Sequence, residues 1–284
     1  MDLESCRNVT IRNYTSFTGD DGIVLGSGNC NDMRVPWPEP AGAYTPTSHV
    51  TVDGAVLSSY SSAIKWEGVF QLSHGDVTDV VVRNTLIHDS ARGVGMQQRT
   101  GGGAWRDVLL ENVTVLRTKV IHGSNWWGAG EALWLTTLPE TGNASATPLG
   151  GIHNVTLRNV VLEGEQGVVL AARDQGNATA RGAGPGLSGV RLLNVTVRVG
   201  VYGNATAERG GEHDFRPVDA GARTPEIVPA NVTGYWLEHA GDVAIVGGSV
   251  AFVGPAQRWW ARGTCLGATP DSVVATTGMA CTPA

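Results

Sequence analysis

Positive charge is scarce in this chain, lysine above all: of 20 basic residues among 284, only Lys65 and Lys119 are lysines. The formal net charge is −6, which argues against a general role on nucleic acid or on an anionic membrane surface. An acidic ligand would have to be met by a local cluster of cations. No apolar run is long enough to span a bilayer. No leader-like segment is visible, because Met1-Asp2-Leu3-Glu4 leads straight into the first repeated motif; that abrupt start is the one expected of a chain truncated at its N-terminus. Cysteine is limited to Cys6, Cys30, Cys265 and Cys281, whose spacing fits no zinc pattern. Their even number and wide separation favour disulfides in an oxidising compartment. The three possible connectivities include Cys6 with Cys30 and Cys265 with Cys281.

What the chain does have is glycine, 39 of 284 residues without a collagen-like period, and therefore many tight turns. It also has a repeat. A six-residue pattern runs polar, Val, any, apolar, any, Asn or Gly. Its copies begin at Asn8, His49, Asp79, Asp107, Asn154, Gly189 and Asp242. Within each copy the apolar residues alternate, so two of them point to one face of a strand. β-Branched residues dominate, as strands prefer. The closing Asn or Gly suits a turn with positive φ. A second apolar alternation follows each copy, as in Ile23-Val24-Leu25, Ala63-Ile64-Lys65-Trp66 and Gly167-Val168-Val169-Leu170.

Units this short, with no helical periodicity between them, predict the stacked turns of a right-handed parallel β-helix. The competing architecture is a β-sandwich, which would not place the same kind of residue at the start of every unit. Longer spacings mark insertions at residues 30–46, 118–150 and 200–235, read as loops that wall a groove. Residues 255–284 break the pattern and read as a terminal cap on a single domain spanning 1–284. Nine Asn-X-Ser/Thr matches formally permit glycosylation, five of them the Asn-Val-Thr triplets at Asn8, Asn112, Asn154, Asn194 and Asn231. Most are read as turn-then-strand architecture.

One acidic pair is not repeated: Thr18-Gly19-Asp20-Asp21-Gly22 stands between the first repeat and the strand at Ile23. Taken alone, Asp-Asp-Gly is most often a solvated turn. Hydrolysis of a glycosidic bond, however, needs one carboxyl as acid and another as base or nucleophile, and adjacent carboxylates repel, which favours protonation of one. Lys65 falls in the equivalent strand one unit before Gly95, with Arg92 and Arg99 flanking Gly95-Met96-Gln97. If units stack in register, these cations lie within a few strand spacings of about 4.8 Å from Asp21. That makes Lys65, with Arg92 or Arg99, a candidate binder of an acidic sugar. Trp126, Trp127 and Trp134 lie in the second insertion; two are expected to pack and one, Trp127, to offer a stacking face. The histidines show no metal-ligand spacing.

The stretch Asn8–Gly28 resembles glycoside hydrolase family 28, the polygalacturonase family, whose β-helix carries Gly-Asp-Asp in this context. The resemblance extends from Met1 to about Phe252 and includes Ser90–Gln97, Trp126-Trp127-Gly128 with Glu131, and His213–Pro217. It implies inverting hydrolysis of a pectic polysaccharide by an extracellular monomer that needs no cofactor, with no nucleic-acid or membrane partner. By it, Asp20 would be the general acid and Asp21 would help activate water; Lys65, Arg92, Gln97, Arg99 and Trp127 are the candidate substrate-lining residues beside them. The chain departs from the family in three places. A further Asp belongs to an Asn-Thr-Asp motif that would fall just before residue 1. Tyr60-Ser61-Ser62 stands where Gly-His-Gly is expected, and Gly95-Met96-Gln97 where Arg-Ile-Lys is. These departures favour, as the alternative, a catalytically impaired carbohydrate-binding β-helix. A pectate-lyase-like β-helix would require carboxylates clustered around Ca²⁺, for which only Asp20 and Asp21 are available, and an adhesive solenoid is a further competitor.

Overall fold

The computed structural model describes residues 1–27, 45–68, 75–98, 102–121, 128–138, 150–172, 186–214, 227–261, 265–266 and 274–277. Of these, 63% are strand and 3% helix, an all-β protein with parallel sheets. One sheet has eight strands, which follow one another in chain order and are parallel throughout: Asp2–Glu4, Ile23–Gly26, Ser62–Gly68, Arg92–Gln98, Leu133–Thr137, Val168–Ala172, Tyr235–Glu238 and Cys265–Leu266. We call it the first sheet. The second sheet has 13 strands in two columns. One column carries the repeated hexapeptide, starting with Arg7–Arg12, Thr47–Asp53 and Val77–Arg83. The other starts with Thr15–Thr18, Val56–Ser59 and Leu86–His88. Two 13-residue strands, Ile152–Gly164 and Leu187–Val199, belong to both columns and join them.

The repeat and the register are one fact seen twice. Its first apolar position runs Val9, Val50, Val80, Val108, Val155, Val190, Val243 from strand to neighbouring strand. Its second runs Ile11, Val52, Val82, Leu110, Leu157, Leu192, Ile245 in the same way. All but the half-buried Val9 are buried in one continuous core. The first sheet adds two more apolar rows to that core, Ile23–Ile64–Val94–Leu133–Val168–Tyr235 and Leu25–Trp66–Met96–Leu135–Leu170–Leu237. Each fully buried side chain of this size stabilises by roughly 1.5–3 kcal/mol, so a slip of one residue, which turns every side chain to the other face, is strongly disfavoured.

The closing position of every copy has positive φ, between 51° and 75°: Asn13, Gly54, Asn84, Asn112, Asn159, Asn194 and Gly247. The opening position does too: Asn8, His49, Asp79, Asp107, Asn154, Gly189 and Asp242 lie between 50° and 69°. The left-handed region favours Gly and, among other residues, Asn, Asp and His, which is why the pattern begins and ends on those types. Side chains at the closing corner also stack, Asn84 donating to Asp53 at 2.8 Å and Asn194 to Asn159 at 2.9 Å.

Three expectations need correcting. The insertion at 118–150 contains a strand of the first sheet, Leu133–Thr137, buried along its whole length; its partners are 39 and 35 residues away in sequence, so local reading misses it. The insertion at 200–235 holds a short helix, Asn204–Arg209, and an antiparallel pair, Glu212–Asp214 with Ile227–Pro229. The stretch 255–284, read as a terminal cap, is not among them: it adds a last strand to each sheet, Tyr235 pairing with Cys265 and Val243 with Val274. The bridge expected from Cys6 is not formed: Cys6 is a free thiol whose Sγ donates to the Glu4 carbonyl at 3.1 Å. Cys30 and Cys281 lie outside the described residues, and Cys265 is described as backbone alone. Among the described residues no helix is long and apolar enough to cross a membrane.

Candidate active site

The turns that lead from the second column into the first sheet stack on one another and carry the candidate chemistry. Gly22 closes the acidic turn because nothing larger fits: a Cβ there would stand 2.5 Å from the Ala63 carbonyl oxygen of the next turn. Its N–H donates to the Ser62 carbonyl at 3.0 Å. The turn above is tied to the same place. The Ser59 hydroxyl donates to the Asp20 carbonyl at 2.6 Å and accepts from the Ser61 N–H at 2.9 Å. The Ser90 hydroxyl, one turn further on, accepts from the Ser59 N–H at 3.0 Å.

These bonds set the two carboxylates apart. Asp20 is exposed, and its Oδ1 accepts the Asp21 N–H at 2.9 Å, an interaction local to the turn. Asp21 is largely buried, with 10% of its side chain exposed, and both of its oxygens are held. Oδ1 accepts the Ser62 N–H at 2.9 Å, and Oδ2 accepts Lys65 Nζ at 2.9 Å. Lys65 is itself only 8% exposed. Its strand position explains this. The outward-facing row of the first sheet reads Asp2, Val24, Lys65, Gly95, Trp134, Val169, Trp236. Lys65 lies between the small Val24 and Gly95, with Asp21 at the end of the preceding strand's turn.

Arg92 does not serve as a surface cation for substrate. It is 1% exposed, and its guanidinium pairs with the buried Glu131, Nε to Oε2 at 3.2 Å and Nη2 to Oε1 at 3.3 Å. It also stacks on the Trp134 ring at 3.7 Å from the centroid. Gly95 makes the space, since a Cβ there would meet the Arg92 Cδ at 2.9 Å. Glu131 Oε2 further accepts the Ala129 N–H at 2.8 Å. Gln97 is likewise buried, on the outward face but covered, and does not present a polar tip to solvent. Trp134 is a packing residue, clustered with Val169, Ala171 and Trp236 on the outer face of the sheet. Arg99, Trp126 and Trp127 lie outside the described residues.

Several polar groups had no motif to announce them. Asp89, at positive φ, accepts from Arg117 Nη2 at 2.7 Å and from Lys119 Nζ at 3.4 Å, with His88 Nδ1 at 3.1 Å. The Arg117 hydrogen bond holds the Asp89 carboxyl well below the usual carboxylate range. Arg117 is also at positive φ, where the register shifts against Ile152–Gly164, a bulge that re-aims its side chain. Glu165 is buried and accepts four donors: the N–H groups of Val120, Tyr202 and Gly203 and the Thr206 hydroxyl. Burial pushes its carboxyl up despite those bonds. It thereby ties the short helix Asn204–Arg209 to the sheet edge. His213, buried beside Trp236 with ring centroids 4.6 Å apart, is pushed down to about 4 by that burial. The one signal in the sequence was placement: Asp89, Lys119, Glu131 and Glu165 all fall at the same turn of successive units as Asp20 and Asp21.

Chemically, the site offers one solvent-facing carboxylate beside a second that is fixed by an ammonium and a backbone donor. No family model, curated protein or solved structure matches the chain.

Proposed function

We propose that the two sheets are faces of a right-handed parallel β-helix of the polygalacturonase-like kind, and that the chain hydrolyses a pectic or related polysaccharide at the Asp20–Asp21 turn. Strands that follow chain order, all parallel, with two long strands bending from one column to the next, support the helix. The observation that carries the function is the division of labour between the adjacent carboxylates. Asp20 faces solvent on a turn fastened by Ser59 and is suited to donate a proton to a leaving oxygen. Asp21, oriented by Lys65 and Ser62, is suited to position an attacking water. Lys65 acts here through Asp21, as an orienting charge and not as the first contact of a sugar carboxylate. The reaction needs no cofactor, and the enzyme would act outside the cell as a monomer.

One observation favours the second reading, a binding protein with impaired catalysis: both oxygens of Asp21 already have donors, so only Asp20 of the pair stands open. Reducing-end release from polygalacturonate, rhamnogalacturonan and neutral polymers separates the two. The hydrolase is expected to release ends, and Asp20→Asn to lower the rate by about 10²–10⁴-fold, the usual worth of a general acid. Polymer binding without release from the folded wild type would establish the binder and remove the hydrolase.

A further inference from the structure

Among the described residues, two aromatic side chains stand out in water. Phe17 is 71% exposed and Tyr60 is 57% exposed. Neither contributes to the core, and both belong to the turns that hold Asp20. Phe17 is three residues before it, and the Tyr60 N–H donates to the Thr18 carbonyl at 3.0 Å.

Strand register places them in adjacent layers. Phe17 pairs with Ser58 across Thr15–Thr18 and Val56–Ser59. Ser59 points inward and is fully buried, so Ser58 points outward, and Tyr60, just past the strand's end, is exposed. Phe17 lies in the strand Thr15–Thr18 and Tyr60 one residue past the end of Val56–Ser59, so the two exposed rings belong to adjacent layers on the Asp20 side. Beyond Ser58 lies His88, whose ring meets Phe17 edge-on with centroids 5.8 Å apart. Between the rings the chain has only small residues. Ser58 separates Phe17 from His88, and Gly19, with nothing within 4 Å of where its Cβ would be, lies next to Tyr60. The result is an exposed aromatic platform beside Asp20: Phe17, backed edge-on by the His88 ring, with Tyr60 one turn further on.

We propose that this aromatic platform stacks a pyranose ring of the polysaccharide whose neighbouring residue lies at Asp20. A sugar ring offers an apolar C–H face to an aromatic wall and hydroxyls to a polar rim, and here the rim is Asp20 on one side and the His88–Asp89–Arg117–Lys119 network on the other. A protein partner fits poorly: two rings supply a few hundred Å² at most, well short of the roughly 800 Å² per side that a stable interface buries.

The inference rests on the carbohydrate reading above, and the test keeps the two apart. Affinity electrophoresis and titration calorimetry would compare wild type, Phe17→Ala/Tyr60→Ala and the ring-keeping Phe17→Trp/Tyr60→Trp on polygalacturonate, rhamnogalacturonan and a neutral arabinan. Val246→Ala/Val253→Ala, which removes exposed apolar groups elsewhere, serves as control. For the polymer that wild type binds, the alanine pair is expected to lose about tenfold in affinity, the tryptophan pair and the control to lose little, and all to melt together because the rings are exposed. If wild type binds a polymer and the alanine pair binds it equally, the platform is wrong while the carbohydrate reading stands. If wild type binds none of the three, both fall.

Discussion

Two corners of the same stack behave in opposite ways. At the corner between the two columns of the second sheet, layer after layer uses one solution: Asn or Gly at positive φ, with a backbone hydrogen bond to the next layer, as from Asn84 to the Glu111 carbonyl at 3.1 Å. At the corner between the second column and the first sheet, the side chains change at every layer: Asp20 and Asp21, then Ser61 and Ser62, then Ala91 and Arg92, then Gly130 and Glu131, then Glu165 and Gln166. The first corner has only to turn the chain, so conformational preference selects its residues. The second turns the chain equally well with many residue types, because backbone bonds such as Arg92 N–H to the Ser61 carbonyl and Ala91 N–H to the Ser59 carbonyl carry the turn. Its side chains are left for other tasks.

The largest break in this contrast is expected at Glu131. Glu131→Ala leaves the Arg92 guanidinium buried without its carboxylate, and losing one partner of a buried pair costs about 3–5 kcal/mol. Chemical denaturation of Glu131→Ala beside Arg92→Met/Glu131→Leu sharpens the point. The double variant is expected to regain most of the loss; if it does not, the pair has a role beyond compensating its own charges.

An intermediate effect is expected in the pH dependence of stability, where two buried groups of the variable corner and its overlying segment pull in opposite directions. The His213 value is lowered from 6.5 to about 4, so its contribution is present above pH 6.5 and is lost as pH falls from there towards 4. The Glu165 value is raised above 4.5, so its contribution is present below pH 4.5 and is lost as pH rises through the folded value. Thermal melts across pH 4–8 should show His213→Gln flattening the acidic loss and Glu165→Gln flattening the loss on the other side. Unchanged slopes in either variant would mean that the group does not differ between the folded and unfolded chains.

The smallest effect is expected at the uniform corner. Asn194→Ala forces an alanine into the left-handed region at about 1–2 kcal/mol and removes the bond to Asn159. Asn194→Gly loses only the bond, so it should melt above the alanine variant. The reverse order would mean that the side-chain ladder, not backbone conformation, selects asparagine there.

This contrast also marks what could be read from the amino acids. The hexapeptide places Val50, Val80 and Val108 in the core, and the structure finds them in register. The closing asparagines were legible because a turn needing positive φ restricts composition. The opening residues share that conformation, but they lie within the strands, where apolar alternation gives no sign of a positive φ. The nearness of Lys65 to Asp21 could be read from the stacking of neighbouring units; that the ammonium is taken up by Asp21, and not left facing a ligand, could not. Burial of Arg92 could not be read, because its partner is 39 residues away, in a stretch whose strand character is masked by flanking insertions. The exposure of Phe17 and Tyr60 could not be read for a simpler reason: exposure is not written in a residue's own identity.

The stacking of the variable corner has a consequence for how specificity can change. Layers two apart are separated by nearly 10 Å, a distance at which substitutions usually act additively, whereas adjacent layers share bonds such as Ser59 to Ser90 and are expected to couple. Such a corner can be revised one shelf at a time. Trading Asp89 or Lys119 need not disturb Asp21, but trading Ser59 would be felt both at Asp20 below and at Ser90 above. Its evolutionary freedom is therefore quantised by the strand spacing, with alternate shelves open to independent change.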